Sequence, residues 1–529
     1  MGQDSLVERS ISRLTFESSE RQTEFTTQNY RSKQRQTDVK LTGDAARLSA
    51  IFQKLDGIGP ASSRIACSYF DTGDSRLGRR GFSLRLREQD GAHELTLKAQ
   101  GRSAIHVEEW NAILDEPIAD LGLLPPDAPR GDIGVILPEE LQPEFTSEVR
   151  QEHRRLDLTG ASVDVFLRIG HMRSGPRRQP VAELAFTLLD GDVAVMLKHI
   201  KSVLRNRRLT FEARSEAALG LEIANDLPPR WVKASKPQLE PADTLEGAMA
   251  KIIATTTSQI TGNIAAAGCG SDPEGVHQLR VALRRLRSAF ALFKDHITAP
   301  AVSLDANAKE ALKHLGPARD LDVFLSETMP PVLQGDQQDP ALSELVGRAE
   351  ACRHNAYRDV RRMLSSPSFN RFLFDLLLAA EDGGSMMRDG RSHLRPVAVK
   401  LLQRRHRRVL KVGRGFADLA TPERHEVRLA LKKLRYACDY FQTLFPKKST
   451  VAYLKRLESL QNDLGRLNDA TVAEQIVDDL AADDTQAAMG GAIVKGWYRH
   501  RLMLVEPHMV SAWQDFSRAR PFWQSRARS

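Results

Sequence analysis

The sequence contains a short basic pattern that occurs twice, and this repetition restricts the fold more than any other feature. Each copy has a histidine followed by cationic residues at i+3, i+7 and i+10, a spacing that places all four on one face of an α-helix. The first copy consists of His277, Arg280, Arg284 and Arg287. The second consists of His425, Arg428, Lys432 and Arg435. The repetition indicates an internal duplication within a helical region.

An apolar stripe accompanies each basic face. The residues of the two stripes are Leu279, Leu283, Leu286 and Phe290 in the first copy, and Leu429, Leu431 and Leu434 in the second. A helix with such a stripe buries it against neighbouring helices and leaves the opposite face accessible. We therefore expect two amphipathic helices that contribute to a core and present their cations outside it.

Cations in a row along a helix repel one another, and a ligand with charge repeated along its length would relieve that repulsion. The net charge of +8 also favours a polyanionic partner, although a generally basic surface would give the same total. Each histidine could contact phosphate, hydrogen-bond a carbonyl or carboxylate, or bind a metal. Because no second ligand lies at a suitable spacing on the same helix, the metal is disfavoured. The shared register of the two histidines favours phosphate.

A third basic run lies between the two copies. Its residues are Lys400, Arg404, Arg408 and Lys411. The spacing of three and four residues is also that of an ordinary solvated helix face. Since two duplicated basic faces occur nearby in the sequence, we assign this run to the same polyanion-binding surface.

Residues 241–515 are rich in helix formers and predict helices throughout. The segments Gly316–Asp322 and Leu464–Asp469 follow the two histidine patterns at about the same distance. We expect them to cap helices and to pair with neighbouring arginines, which is a structural role rather than a catalytic one. The proline-rich stretch 226–240 is predicted to be a linker.

The helical motifs resemble those of CHAD domains, a family named for its histidines and all-helical fold. The resemblance rests on the two histidine patterns and on Arg319, Asp320 and Asp322, and it covers nearly all of residues 241–515. It implies two helical bundles, related by pseudo-twofold symmetry, that bind inorganic polyphosphate in a basic groove. Nucleic acid is the alternative, because its backbone presents the same anions. Only 6% of the residues are aromatic, and base stacking needs exposed aromatics, so we favour polyphosphate.

Residues 34–225 show mainly the two-residue alternation of β-strands. Strands are predicted at residues 36–41, 68–72, 81–87, 94–98, 162–169 and 181–189. In one of these strands Arg85 and Arg87 share a face, whereas Leu84 and Leu86 share the other. The strands could form a sheet with one solvated face or a closed barrel with a basic lumen.

The strand motifs around Tyr69–Thr72, Leu84–Arg87, Thr96–Lys98 and Glu183 resemble a CYTH domain. This is the triphosphate tunnel fold of inorganic triphosphatases and class IV adenylate cyclases, and it implies an antiparallel barrel. The whole chain is therefore predicted to be a multidomain α+β protein, in which a CYTH-like tunnel precedes an all-α CHAD double bundle. The resemblance implies tunnel phosphate-binding roles for Lys40, Arg85, Arg87, Lys98 and Arg150.

Several departures from the CYTH pattern remove carboxylates. The departures are Gln36, Arg168, Ala185 and Thr187, which stand where the family pattern has acidic residues. Asp38 and Glu183 remain as candidate metal ligands, which is too few for the Mg²⁺ or Mn²⁺ site that phosphoryl transfer needs. In addition, Glu216 stands where the pattern has a lysine. We expect a lumen that keeps cations, loses carboxylates, binds phosphate chains and hydrolyses them poorly.

No catalytic residue is therefore assigned, and no cofactor is expected unless the tunnel is active, which would require Mg²⁺ or Mn²⁺. The alternative is an active metal-dependent inorganic triphosphatase with a polyphosphate-docking domain.

The remaining expectations concern the termini and the location of the protein. Residues 1–33 are predicted to be a disordered tail and residues 516–529 a basic tail. The four cysteines have no metal-binding spacing, and the sequence shows neither a signal peptide nor a membrane span. We expect a cytoplasmic protein, either free or associated with polyphosphate or storage granules.

Overall fold

The structure, a computed structural model, describes residues 30–101, 103–334, 339–382, 386–388 and 390–524. The chain divides into two compact units. The barrel unit consists of Met1–Met196 and Phe211–Leu227, and the helical unit consists of Leu197–Thr210 and Pro228–Ser529. The predicted N-terminal tail falls largely outside the described residues, but residues 30–33 already belong to the first strand.

Eight antiparallel strands form a closed barrel, as predicted from the sequence. They are β1 (Tyr30–Thr42), β2 (Ile58–Thr72), β3 (Phe82–Gln89), β4 (Ala92–Gln100), β5 (His106–Leu114), β6 (Leu141–Leu158), β7 (Ala161–Ser174) and β8 (Arg177–Gly191). The strand order is β5-β4-β3-β2-β6-β7-β8-β1, and the pairing of β1 with β5 closes the sheet. A short strand, β9 (Thr210–Glu212), continues the order beside β1.

Two of these strands, β5 and β6, were not predicted. In β6 the residues Ser147, Val149 and Gln151 are buried, whereas Glu148 and Arg150 between them are exposed. The two-residue period is therefore present, but polar residues occupy both faces of the strand. Hydrophobic alternation is the signal that identifies a strand in a sequence, and a barrel with a polar lumen weakens it.

The chain also forms twelve helices of eight or more residues within the described parts. They are α1 (Ala45–Phe52), α2 (Val193–Val203), α3 (Glu216–Ala224), α4 (Leu245–Cys269), α5 (Pro273–Leu292), α6 (Ala299–Val323), α7 (Pro340–Leu364), α8 (Pro367–Asp382), α9 (Leu394–Val412), α10 (Thr421–Phe441), α11 (Lys447–Ala481) and α12 (Thr485–Ser517). Shorter helices lie at Arg76–Arg79, Arg130–Ile133 and Met329–Leu333. The helical unit is thus all-α, in agreement with the sequence.

The helix breaks that we predicted near Gly316 and Leu464 are wrong. Helix α6 continues through Pro317, and α11 is continuous from Lys447 to Ala481. Neither segment therefore caps a helix. A proline removes one backbone donor and disturbs the carbonyls of the preceding turn. In that turn the Leu312 carbonyl accepts a hydrogen bond from Arg280 Nη1 at 3.3 Å, and the buried Leu315 and Ala318 keep the helix packed.

The expected pairing of this segment with arginine is confirmed at Asp322. This carboxylate is 1% exposed and lies between two helices. It accepts hydrogen bonds from Arg353 Nε at 2.7 Å and from Tyr357 Oη at 2.7 Å, both on α7. Arg353 Nη2 also donates to the Gly270 carbonyl, at the end of α4, at 3.0 Å. Asp322 therefore fastens α6 to α7 and, through Arg353, to α4.

The predicted linker has no helix or strand between residues 231 and 239, but it is not free. We call these residues the strap. The Asn263 side chain, which is fully buried on α4, exchanges hydrogen bonds with both the N–H and the carbonyl of Val232, at 2.9 and 3.0 Å. Gln259 Nε2 donates to the Ser235 carbonyl at 2.7 Å, and Gln278 Oε1 accepts from the Ala234 N–H at 3.0 Å. Hydrogen bonds from buried side-chain amides thus hold the backbone of the strap, where a strand would be held by the hydrogen bonds of a sheet.

The C-terminal boundary also differs from the prediction. Helix α12 extends to Ser517, and both Phe522 and Trp523 are buried, so a basic tail beginning at residue 516 is wrong for the residues that the structure describes. The four cysteines form no disulfide. None of the helices in the described parts of the chain is long and apolar enough to cross a bilayer.

We predict that Asp322→Ala lowers the free energy of unfolding of the helical unit by about 3 kcal/mol, because it leaves the buried phenol of Tyr357 without its acceptor and the half-buried guanidinium of Arg353 without its ion-pair partner. Urea denaturation followed by circular dichroism measures this change. Asp359→Ala on α7 is the control, since Asp359 is exposed and pairs with Arg362 at 3.6 Å. Equal midpoints for the two variants would contradict a fastening role for Asp322.

Candidate functional site

The two duplicated helices, α5 and α10, pack against each other within the helical unit. Asp272 caps α5 by accepting from the Glu274 N–H at 2.8 Å, and Pro273 occupies the first helical position. The leucines of both stripes are buried as predicted, with one exception. Leu429 is 43% exposed, and the equivalent residue in the first copy, Val281, is half-buried. Packing of these stripes sets the register of the cations.

Five cations from three helices form what we call the cationic cluster. Its members are Arg280 and Arg284 on α5, Arg319 on α6, and Arg428 and Lys432 on α10. Arg284 interacts electrostatically with the cations of both α5 and α10. It lowers the pKa of Arg280 on its own helix and the pKa values of Arg428 and Lys432 on α10. The cluster therefore joins the two copies of the pattern.

Two carboxylates face this cluster in corresponding positions. Asp320 on α6 acts on Arg280, and Asp469 on α11 acts on Arg428. Within the described residues, Arg284 has no hydrogen bond or ion pair, and the Nε atoms of Arg280 and Arg284 are buried without an acceptor.. Buried donors that lack an acceptor are costly, so an added anion would be stabilising here.

The environment of the cluster shifts the pKa values of its titratable members. Burial, together with Arg428 and Arg284, lowers the pKa of Lys432 to about 8. Burial and Arg319 lower the pKa of His277 from its ordinary value. Both shifts disfavour the charged form, as expected where water is partly excluded and like charges are close. The lowered pKa values of Lys432 and His277 indicate that burial and neighbouring cations outweigh the nearby carboxylates in the cluster.

The structure does not bring the other predicted residues into this cluster. Arg287 pairs with Asp305 at 2.9 Å, and Arg435 pairs with Asp439 at 3.4 Å and Glu458 at 3.7 Å. His425 is exposed at the start of α10. Of the predicted set, the cluster thus gathers Arg280, Arg284, Arg428 and Lys432, with His277 beside them.

The third basic run forms an exposed face of α9. Its residues, Lys400, Arg404, Arg408 and Lys411, are all solvent-exposed. Arg404 pairs with Asp295 at 2.9 Å, and Arg408 lies 3.6 Å from Glu426. This environment matches the solvated-face alternative, and no contact of the run with the cluster is seen in the described residues.

Arg319 is the cluster member that sequence reasoning missed. It was noted as part of a motif with Asp320 and Asp322 but was assigned to a helix cap. Helix α6 continues to Val323, so Arg319 and Asp320 lie within its last two turns, beside Arg280 of α5, whereas Asp322 points toward α7. The signal that could have identified Arg319 from the sequence is its position as a basic residue in the segment Gly316–Asp322, which follows the first histidine pattern.

The barrel unit encloses a cavity of about 580 Å³. Of the predicted tunnel residues, Lys40, Arg85, Arg87 and Lys98 line it. Arg150 does not, and that prediction is wrong. Its side chain is 68% exposed and pairs with Glu152 at 3.1 Å, because Val149 and Gln151 on either side of it point inward.

The expectation that the lumen loses its carboxylates is also wrong. Five acidic residues line the cavity: Asp38, Glu94, Glu109, Glu212 and Glu216. Most are held by cations: Lys98 pairs with Glu109, and Arg214 Nη2 lies 2.6 Å from Glu212. Glu212 was not predicted from the sequence to face inward, whereas Glu109, a candidate inward acid in the sequence together with Glu108, lies directly opposite Lys98.

These carboxylates do not fit a divalent metal. Asp38 lies opposite Thr187 on β8 and accepts a hydrogen bond from its hydroxyl at 2.8 Å. Glu183 precedes Thr187 by four residues in β8, a backbone separation of about 13 Å, and is held by Arg168 Nη1 at 3.0 Å. In the described residues no three His, Cys, Asp or Glu side chains are grouped to hold a metal ion.

Comparison with known proteins assigns the helical region. Residues 251–478 match the family model of the CHAD domain. This region is a CHAD domain. A structure of the CHAD domain from the plant Ricinus communis is 28% identical, covers 55% of this chain and 98% of its own, and has a TM-score of 0.48.

Two further relatives concern triphosphatases. An inorganic triphosphatase from Haemophilus influenzae is 25% identical over 162 residues, which is 29% of this chain and 44% of that protein. The chain thus spans less than half the length of this curated relative. The Hippeastrum protein HpAC1, an adenylyl cyclase candidate with a dominant triphosphatase activity, is 15% identical, covers 36% of this chain and 95% of its own, and has a TM-score of 0.27.

We predict that Lys432 titrates near pH 8, so that the cluster loses one positive charge as the pH rises through that value. Arg284→Gln should raise the pKa of Lys432 toward the ordinary lysine value of about 10.4, because a like charge has been removed. NMR of ¹³C-methylated lysines measures both. Arg408→Gln, on the exposed face of α9, serves as the control. An unchanged titration in Arg284→Gln would rule out this neighbour relation.

Proposed function

We propose that the protein binds inorganic polyphosphate through the cationic cluster of its CHAD domain. The observation that carries the proposal is the position of Arg284, which lies among cations from both copies of the pattern without an ion pair in the described residues. A linear anion crossing α5 and α10 would supply acceptors to several guanidinium groups at once. Arginine suits this role because its rigid fork matches two phosphate oxygens.

Nucleic acid is the second candidate, since it offers the same backbone charges. Recognition of single strands usually adds stacking of bases on exposed aromatic rings. Of the aromatic residues near the basic runs, Phe290, Phe293 and Phe441 are buried in the core, whereas Tyr436 is half-buried. Few aromatic rings therefore accompany the charges of the cluster, which favours a polyanion without bases. Binding of this kind is compatible with association of the protein with polyphosphate granules.

For the barrel we propose that hydrolysis of phosphate chains is slow or absent. The carboxylates of the cavity are engaged by arginine, lysine or threonine, so they are poorly placed to bind Mg²⁺ or Mn²⁺. The alternative, an active metal-dependent triphosphatase with a polyphosphate-docking domain, draws on the names of the relatives. The two alternatives differ in a single measurable quantity, the turnover.

We predict that Arg280→Ala combined with Arg428→Ala weakens binding of long-chain polyphosphate by at least about tenfold, because charge-assisted hydrogen bonds contribute about 1.5–3 kcal/mol each. Arg404→Ala with Arg408→Ala removes the same charge from an exposed face and should have a much smaller effect. Titration of the full-length protein at two salt concentrations measures affinity and the number of phosphates contacted.

Equal losses from the two double variants would mean that binding is diffuse rather than localised at the cluster. Equal affinity of the parent protein for single-stranded DNA of matched charge would favour the nucleic-acid candidate. Circular dichroism of each variant confirms that the helices remain folded.

We also predict that the full-length protein releases phosphate from tripolyphosphate, ATP and thiamine triphosphate at well below about 1 s⁻¹, the lower end of ordinary enzymatic turnover, with Mg²⁺ or Mn²⁺ present. The reason is that its carboxylates are already paired. Faster, metal-dependent release that is abolished by Glu183→Gln would establish the triphosphatase alternative instead.

A further inference from the structure

The cavity of the barrel unit contains a group of donors that converge on one carboxylate of the protein itself. Glu216 is the first residue of α3, which Ser215 caps by accepting from the Ala218 N–H at 3.1 Å. Tyr69 donates its hydroxyl hydrogen to Glu216. Arg168 Nη1 lies 3.4 Å from Oε1 of Glu216, and Arg85 Nη1 lies 3.8 Å from Oε2. Three side chains from three strands thus meet at one anion.

The electrostatics agree with this geometry. Burial alone would raise the pKa of Glu216, but Arg168, Arg85 and Lys40 together hold it well below its usual range. Burial raises the pKa of Glu183, which shares Arg168 with Glu216. Of these two neighbouring carboxylates, Glu216 is therefore the one whose charged form the surroundings favour.

Two of the three donors, Arg168 and Tyr69, are also held by contacts other than Glu216. Arg168 Nε donates to Gln151 Oε1 at 2.9 Å, and its Nη1 lies 3.0 Å from Glu183. Tyr69 stacks on Phe145 with 4.3 Å between the ring centroids. These contacts hold the guanidinium and the phenol in place independently, so both would remain available if the carboxylate were absent.

The charge of the cavity is also balanced. Its cations are Lys40, Arg85, Arg87, Lys98, Arg168 and Arg214. Five carboxylates line the same cavity, and Glu183 lies directly against Arg168. A phosphate chain that entered would find a position of complementary charge already filled and little net attraction from the walls.

We propose that the barrel holds a latent phosphate-binding site at Tyr69, Arg85 and Arg168, in which the carboxylate of Glu216 occupies the position of the anion. A carboxylate and a phosphate accept from the same fork of guanidinium donors, so one can replace the other. A tethered group has an effective concentration of the order of millimolar or higher, which lets it exclude a dilute free anion. The inference does not depend on polyphosphate binding by the CHAD domain.

The test is metal-free binding of tripolyphosphate, with EDTA present, to full-length protein that carries Arg280→Ala and Arg428→Ala to suppress the cationic cluster. In this background Glu216→Gln should add one site per chain and tighten binding at least tenfold. Isothermal titration calorimetry measures the number of sites and the affinity. Adding Arg168→Gln to Glu216→Gln should remove the new site.

Glu222→Gln is the matched control. Glu222 is on the same helix and pairs with Arg214 at 2.7 Å, but it does not line the cavity, and Arg214 remains held by Glu212. An equal gain in Glu222→Gln, or no gain in a folded Glu216→Gln protein, would overturn the proposal. If Glu216→Gln does not fold, Glu216→Asp withdraws the carboxylate by one methylene and should give a partial gain. The absence of any gain in Glu216→Asp would overturn the proposal equally.

Discussion

Repulsion among like charges is the constraint on which the helical unit depends. Arg284 lies among Arg280, Arg428 and Lys432, and within the described residues it has no hydrogen bond or ion pair of its own. Such an arrangement is unfavourable by itself, so other contacts must hold it. The buried leucines of α5 and α10 provide the apolar contribution, and the contacts of Asp322 fix α6 against α7. The stability of the bundle is therefore what allows the cations to remain close together.

The two units use the same residue types with opposite results. In the barrel, Arg168 meets Glu183 and Glu216, and Arg214 meets Glu212 and Glu222. In the helical unit, five cations face Asp320 and Asp469, and Arg319 also pairs with Glu327 at 3.2 Å. Whether a set of arginines attracts a ligand depends on the carboxylates around it rather than on how many arginines there are. The unit with the unbalanced set is the better candidate for binding a polyanion.

The sequence predicted most of the architecture because its signals were periodic. The duplicated spacing placed Arg280 and Arg428 correctly, and the apolar stripes predicted the buried leucines. Errors arose where a local signal was overridden by tertiary contacts, as at Pro317, which lies inside a helix supported by packing and by Arg280. Leu429 was wrongly assigned to the apolar stripe, because a leucine can also be exposed. The assignments of Leu431 and Leu434 to that stripe were correct.

The candidate site in the barrel was harder to predict, because facing partners are remote in sequence. Glu216 and Arg168 each looked like the loss of an expected charge when considered separately. In the structure the two lie 3.4 Å apart and compensate one another. No pattern within a single strand reveals such a pair, and the same reason explains why Arg150, one residue out of phase with its inward neighbours, was assigned to the wrong face.

The strap has a consequence for where the helical domain begins. Asn263 is fully buried, and its amide hydrogen-bonds the backbone of Val232 on both its donor and acceptor sides. A chain shortened to the start of α4 would leave the side-chain amides of Asn263, Gln259 and Gln278 without their hydrogen-bond partners in the strap. Each unsatisfied polar group costs about 1–3 kcal/mol. Trp231 donates to Asp272, the N-cap residue of α5, at 2.9 Å and marks the outer end of this contact. The segment of the domain that contains α4 therefore starts near Trp231, well before that helix.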